Sequence, residues 1–300
     1  MKLESIRTTL QEHYHLLSKT FQQWSAHDPF HNSIIIAYYT IFSLPGLLLV
    51  IVTSVGYFYT KENITLQITS QIQAVMGGDT AKDVSSILLK TREAQDTLVS
   101  SIIGIATLLF GATGVFYELQ QMFNRIWKVP LNPRPKTSHK IITLVRDRLF
   151  SFGLILVVGF LLLVSLVLSA GLSAVSAWVT VHWSDVWNSA FRLFDILLSM
   201  SIITLLFAAL FKFLPDAKVQ WKDVWAGALL TALLFVIAKF ALGYYFGQSK
   251  LSSMYGAAGS IILIMLWVSY TGLILLFGAE YTHVTIQQAK ELKRFKNSDT

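Results

Sequence analysis

The chain has 300 residues, of which 54% are hydrophobic and only 14% are charged, and its mean hydropathy is +0.56. Soluble domains usually carry about 25% charged residues, so the composition excludes an ordinary soluble domain and favours a membrane protein. The net charge of +7 is typical of cytoplasmic loops near anionic headgroups rather than of nucleic-acid binding. The absence of cysteine excludes disulfides and thiolate metal sites.

The first segment, residues 1–30, predicts an amphipathic cytoplasmic helix that lies on the membrane or on the helical bundle. Its apolar residues recur seven apart, at Leu3, Leu10, Leu17 and Trp24, with Ile6, Tyr14 and Phe21 between them. His27 and His31 follow, four residues apart, but Pro29 interrupts the segment and no further ligands converge there. We therefore expect a polar turn here and no metal site.

Long apolar runs predict six transmembrane helices, at residues 34–59, 98–117, 150–172, 191–214, 224–246 and 256–279. The last run has no charged residue and would be ~36 Å long as a helix, enough to cross a hydrocarbon core of ~30 Å. Residues 61–97 are too polar to cross and predict two amphipathic extracytoplasmic helices. The expected fold is all-α, a polytopic membrane bundle of about six transmembrane helices with interfacial helices, in one domain over residues 1–300.

The distribution of basic residues predicts the orientation of these helices. The segment from Arg125 to Arg148 is rich in Arg and Lys and contains one acid, Asp147, and the tail at 283–300 is also basic. Because cytoplasmic loops carry an excess of Lys and Arg, we expect both termini in the cytoplasm.

Charged residues inside predicted spans are candidates for a substrate pathway, because burying a charge in lipid is costly. By helical rise, Lys239 lies ~12 Å and Asp195 ~6 Å below the outer interface, with Arg192 one turn above Asp195. One interpretation is a Lys239–Asp195 pair that faces a cavity. The alternative is that Lys239 only bends toward the headgroups.

The first span contains Pro45, which removes a backbone hydrogen bond and is expected to kink the helix. The carbonyl that loses its partner would be satisfied by the Ser43 hydroxyl or by another helix. Such a kink is used for function in some transporters, but proline is also common in membrane helices generally. We count Pro45 and Ser43 among the pathway candidates and leave both interpretations open.

At the predicted inner side, Glu118 and Glu280 end two spans at similar depth, and Asn124 and Arg125 lie nearby in sequence. These four residues are candidates for an inner gate of ion pairs. The alternative is a solvated network at helix ends, where charges are common.

Signatures of known catalytic sites are not found in the sequence. It contains no HExxH, no glycine-rich phosphate loop and no GxSxG, and its seven histidines are scattered. We therefore expect no catalytic residues, no metal and no cofactor, and a protein that is not an enzyme.

Four stretches resemble the YihY/BrkB family of membrane proteins: AYYTIFSLPGLLLV at 37–50, GVFYELQQMFNRIWKV at 114–129, FLPDAKVQWKDVWAGALLTALLF at 213–235 and YGAAGSIILIMLWVSYTGLILLFGAE at 255–280. The matching motif positions are Tyr39, Ser43, Pro45, Asn124, Trp127, Pro215, Gly227, Tyr255, Gly256, Trp267 and Glu280. The resemblance implies a bacterial inner-membrane protein of about six helices. Some members have been linked to envelope lipid homeostasis. An older ribonuclease BN label is widely regarded as mistaken, which agrees with the missing nuclease ligands. The resemblance assigns no catalytic or ligand role to these positions.

The resulting hypothesis is a transporter or flippase-like protein for a lipid or another amphipathic envelope component. Its expected partners are membrane lipids and, in one alternative, further copies of the chain, but not nucleic acid. The alternatives are a channel or carrier for ions or small solutes and a membrane scaffold that transports nothing. A ribonuclease is not expected, since no ligands for a metal-activated water are present.

Overall fold

A computed structural model of the chain describes residues 2–55, 98–130, 185–248 and 257–298, together with the single positions 69, 73 and 85. The regular elements of this part of the chain are all helices, joined by short turns: α1 (Lys2–Ala26), α2 (Pro29–Val55), α3 (Leu98–Ile126), α4 (Asp185–Phe213), α5 (Trp221–Gln248) and α6 (Ala257–Ser298). The predicted all-α fold is therefore confirmed for the described residues.

Three of the helices contain stretches long and apolar enough to cross a membrane, at Ile196–Phe213, Trp221–Phe246 and Ala258–Glu291, among the residues searched. The predicted spans at 34–59 and 98–117 fall largely within α2 and α3. The span predicted at 150–172, and nearly all of the amphipathic segment predicted at 61–97, lie outside the described residues. A membrane protein is supported, and the total of six spans stays a prediction.

Helix α6 extends well beyond the predicted span. That span ends at residue 279 and the predicted basic tail begins at 283, and one helix of 42 residues includes both and continues to Ser298. At 1.5 Å per residue it is ~63 Å long. No glycine or proline follows Gly278, and the segment QQAKELKRFK consists mostly of strong helix formers. The predicted span ended where the apolar residues end. The helix continues beyond that point because no helix-breaking residue follows.

Helix α3 ends in a left-handed cap that uses a non-glycine residue. Lys128 has a φ of 52°, its N–H donates to the carbonyl of Arg125 (3.1 Å), and the Val129 N–H donates to the carbonyl of Asn124 (2.9 Å). This pair of bonds is the Schellman arrangement, in which glycine usually occupies the left-handed position. The cap stops α3 after Ile126.

The turn between α1 and α2 is also hydrogen-bonded locally. Asp28 has a φ of 49°, Pro29 occupies the first position of α2, and the Asn32 side-chain amide donates to the carbonyl of His27 at 2.7 Å. Proline is favoured at a first helical position because its missing N–H would have no partner there. In the described part of the chain no three metal-binding side chains cluster, and His31 is exposed.

The chain divides into two compact units. The first comprises Met1–Trp24, Phe123–Leu233 and Phe277–Thr300, and the second comprises Ser25–Met122 and Leu234–Leu276. Helices α1, α3, α5 and α6 contribute residues to both. The single domain expected from the sequence stays a prediction.

Within the first unit, α1 buries a different face from the one that the apolar pattern marked. Leu16 and Thr20 are buried, whereas Tyr14, Leu17 and Phe21 are exposed. Trp24 of the predicted stripe meets Phe277 of α6 edge-to-face at 5.9 Å. Whether α1 lies on the membrane or on the bundle stays a prediction.

Within the second unit, α2 packs against α3 at two glycines. A Cβ added to Gly111 would lie 2.6 Å from Cβ of Ser43, and one added to Gly114 would lie 2.6 Å from Cε1 of Tyr39. Real Cβ atoms do not approach so closely, so these helices meet where side chains are absent. The order of the contacts shows that α2 and α3 run antiparallel.

The expected role of Ser43 beside Pro45 is not what the structure shows. Its hydroxyl donates to the carbonyl of Thr40 at 2.8 Å, whereas Pro45 leaves the carbonyl of Ile41 without its helical donor. A hydroxyl has one proton to give. The Ser43 hydroxyl therefore does not satisfy the carbonyl freed by Pro45, although the helix continues through that proline to Val55.

Candidate functional site

The candidate site is a buried polar face of α6 in the first unit. Glu280, His283 and Gln287 follow at intervals of three and four residues and so share one face of the helix. Glu280 is 1% exposed and His283 is 7% exposed. Burying an ionisable group is costly, and in a membrane helix such a residue is by default a candidate for function.

The imidazole of His283 lies between an amide and an aromatic wall. Its Nε2 is 2.7 Å from Nε2 of Gln287, and its ring meets the Trp127 indole edge-to-face at 5.9 Å. With the Gln287 amide nitrogen as donor, the imidazole Nε2 accepts and a neutral ring carries its proton on Nδ1.

The aromatic wall extends from α3 to α4. Trp127 stacks on Phe123 with 5.5 Å between ring centroids and 11° between planes, and Phe123 contacts Phe211 at 5.9 Å. Phe123 and Phe211 are fully buried. The Nε1 atom of Trp127 is buried without a hydrogen-bond partner among the described residues, so this wall presents one buried donor that a polar ligand atom would satisfy.

A close helix seam holds α6 in place on another side. Gly227 of α5 lies against Thr282, and Gly278 of α6 lies against Thr231, with 3.0 and 2.9 Å between an added Cβ and the respective threonine Cβ. The crossed order of these contacts makes α5 and α6 antiparallel. Small residues allow this close approach.

The two threonines of the seam keep their hydroxyls within their own helices. Thr231 donates to the carbonyl of Gly227 at 2.6 Å and Thr282 donates to that of Gly278 at 2.8 Å. No polar atom is therefore stranded at the seam. Since residue 280 is ~200° around the helix from residue 278, Glu280 lies on a face away from it.

A two-point hydrogen bond joins the end of α3 to the turn after α4. The Asn124 side chain donates from Nδ2 to Oδ2 of Asp216 (2.8 Å) and accepts from the Asp216 backbone N–H (2.8 Å). Pro215, a motif position, is buried beside it. This contact positions Trp127, three residues after Asn124, relative to α4.

The structure places the gate candidates as follows. Glu280 is buried and Arg125 is exposed, while Asn124 bonds to Asp216. Glu118 is half-buried and belongs to the second unit. An ion-paired gate among these residues stays a prediction, as does its alternative.

The pathway candidates are less fully described. Lys239 is half-buried in the second unit. Asp195 and Arg192 lie on α4, but their side chains, like that of Pro45, are outside the described residues. The Lys239–Asp195 pair stays a prediction.

The remaining motif positions have mostly packing contacts. The Tyr39 ring lies 6.4 Å from that of Phe110, and the Trp267 ring lies 6.1 Å from that of Phe235. Tyr255 and Gly256 lie outside the described residues. Among the motif positions, Glu280 and Trp127 are the ones that belong to the candidate site.

The sequence interpretation missed several of the residues that form the site. Gly227 was named as a motif position, but its partner Thr282, the second glycine–threonine pair, His283 and Gln287 were not. They carried a readable signal, because Glu-x-x-His and two Gly-x-x-x-Thr patterns stand in the sequence at helical spacing. The Asn124–Asp216 contact had no such signal, since its partners are 92 residues apart.

Comparison with known proteins identifies relatives over most of the chain. A family model described as Virulence factor BrkB matches residues 20–299. A UPF0761 membrane protein of Tolumonas auensis is 32% identical over 187 residues, covering 60% of this chain and 56% of that protein. One of Saccharophagus degradans is 25% identical over 260 residues, covering 84% of this chain and 55% of that protein. The chain thus spans about half the length of these curated relatives. No solved structure matches it.

Proposed function

We propose that this chain, which belongs to the BrkB virulence factor family of membrane proteins, is a transporter for a lipid or another amphipathic envelope component. We place it in the bacterial inner membrane with both termini in the cytoplasm, on the strength of its basic segments. Neither the matched family nor these relatives carry the name of an enzyme.

The observation that carries the proposal is the burial of Glu280 and His283 on one face of α6, directly after its long uncharged run. An apolar side chain at this position would pack better than a carboxyl group that is 1% exposed. Packing alone therefore does not explain the buried glutamate. Intramembrane carboxylates and histidines often serve as relays and substrate contacts in transporters. The polar face of α6 is therefore the proposed point at which a polar headgroup is handled.

The polar groups of this face suit the headgroup of an amphipathic substrate. Glu280, His283 and the Trp127 indole N–H offer charge and hydrogen bonds to such a headgroup.

The test is reconstitution of the purified full chain into liposomes that contain a fluorescent phospholipid. Transfer between leaflets is measured by chemical quenching of the outer leaflet. We expect faster transfer than in protein-free liposomes and a drop of about tenfold or more with Glu280→Gln, since hydrogen bonds to a charged group contribute about 1.5–3 kcal/mol.

Thr285→Ala is the matched control, because Thr285 lies on the same helix and its hydroxyl donates only to the Tyr281 carbonyl within that helix. It should transfer lipid at the wild-type rate. Release of a trapped ion or small solute without lipid transfer would instead support the channel or carrier alternative. No movement of either would support the scaffold and contradict the proposal.

A further inference from the structure

The connection between α4 and α5 exposes a continuous aromatic surface. Phe213, Trp221 and Trp225 are 44%, 41% and 45% exposed. Phe213 meets Trp221 edge-to-face at 5.7 Å, and Trp221 lies 6.4 Å from Trp225. We call residues 213–225 the aromatic turn. Three adjoining exposed rings are too much apolar surface to leave against water without a reason.

The aromatic turn has an ordered backbone. The Lys212 ammonium donates to the carbonyl of Val219, whose side chain is buried. Leu214 is buried as well, and the Asn124 side chain holds Asp216 from the end of α3. The rings are therefore presented in a preorganised arrangement, which lowers the entropy lost on binding.

Two lysines flank the rings. Lys218 and Lys222 are both exposed, whereas Lys212 is half-buried and bonded to the chain. Residues 213–225 contain two lysines and two acids. Asp216 is exposed and its carboxylate accepts from the Asn124 side chain, whereas Asp223 is half-buried in the first turn of α5. Lys218 and Lys222 are thus the exposed cations beside the rings.

The surface continues along α5 as an aliphatic stripe. Leu229 and Leu233 follow Trp225 at steps of four residues and are exposed, within the apolar stretch Trp221–Phe246. Aromatic rings at the end of a membrane helix with aliphatic residues below them match the headgroup level and the acyl region of a bilayer. Lysine stems reach from that level to the phosphates. This continuity identifies lipid, and not a soluble protein, as the occupant.

We propose that the aromatic turn is a docking surface for anionic lipid headgroups of the leaflet that it faces. The rings of Phe213, Trp221 and Trp225 lie at the boundary between headgroups and acyl chains, and Lys218 and Lys222 bind the lipid phosphates. The surface sets the depth of the α4–α5 pair in the membrane. It does not depend on whether the protein transports lipid.

The test measures the unfolding temperature of the full chain in neutral detergent as phosphatidylglycerol or phosphatidylcholine is added. Phosphatidylglycerol should raise this temperature and phosphatidylcholine should not. In the double variant Lys218→Gln/Lys222→Gln, the phosphatidylglycerol concentration at half effect should rise about fivefold for each lysine removed.

Lys290→Gln removes an exposed lysine from the distal part of α6 and should keep the wild-type midpoint. Lys218→Arg/Lys222→Arg should keep most of the effect. An unchanged midpoint in the glutamine variant, or equal stabilisation by both lipids, would overturn the proposal.

A second measurement does not depend on the lysine variants. The chain has no cysteine, so Gln220→Cys, at an exposed position of the turn, accepts an environment-sensitive dye without background labelling. Its emission should shift to the blue in phosphatidylglycerol nanodiscs relative to phosphatidylcholine nanodiscs. A dye at Lys290→Cys should show no difference. Identical spectra at position 220 in both lipids would contradict the proposed contact.

Discussion

The close contact of α5 and α6 at the glycine–threonine seam predicts that Gly227→Ala lowers the free energy of unfolding. In an unconstrained helix, Gly→Ala stabilises by about 0.5–1 kcal/mol because alanine has less backbone freedom to lose. At Gly227 a new Cβ would collide with the Thr282 hydroxyl oxygen and lie 3.0 Å from both the Thr282 Cβ and the Gly278 carbonyl oxygen. The Gly278 carbonyl belongs to the backbone of α6, which cannot move aside as a flexible side chain can.

Overpacking of this kind costs about 1–3 kcal/mol, which exceeds the gain in backbone entropy. We therefore expect Gly227→Ala to lower the free energy of unfolding by about 1–2 kcal/mol. Thr282→Ala removes the nearest colliding atom and strands no donor, because the Thr282 hydroxyl bonds only within its own helix. The double variant should be more stable than the sum of the two single effects predicts, by about 1 kcal/mol.

The assay is reversible unfolding of the four proteins in mixed micelles, followed by circular dichroism. Ala226→Val, at the exposed neighbouring position, controls for added bulk on α5 and should change stability little. A Gly227→Ala variant as stable as the wild type, or a double variant with strictly additive effects, would show that the two helices do not meet at this seam.

Two further substitutions test local features of the chain. Lys128→Gly should raise the free energy of unfolding by about 0.5–1 kcal/mol, because glycine adopts the left-handed φ of 52° without steric cost. Thermal unfolding of the two proteins measures this difference, and a less stable variant would contradict the prediction. Lys239→Met keeps the length of a half-buried side chain but removes its charge. Lipid transfer in liposomes should fall while the unfolding temperature is retained, and unchanged transfer would show that Lys239 only reaches toward the headgroups.

The candidate site shows where sequence reasoning succeeded and where it stopped. Glu280 was chosen from the sequence because it ends a long uncharged run, and Trp127 because it matches a family motif. The prediction treated residue 280 as the end of the span and so looked for partners among charged residues near helix ends. The structure instead continues α6 past this position and buries His283 one turn further on.

The first helix shows the limit of periodicity. The seven-residue repeat correctly indicated an apolar stripe on α1, but the buried face contains Leu16 and Thr20, while Tyr14 and Phe21 are exposed. A repeat shows which residues share a face but not what covers that face. In a membrane protein both lipid and protein favour apolar residues, so the pattern alone does not distinguish them.

The sequence by itself determined the fold class and indicated a membrane as the solvent. Its deficit of charge and its long apolar runs favour helices in a membrane, because a helix satisfies its backbone groups internally where water is absent. Tertiary structure alone decided which polar residues are buried and what they meet. The contacts that bring Asn124 to Asp216, Gly227 to Thr282 and Trp127 to His283 join residues distant in the chain. They depend on how helices pack, which local composition does not encode.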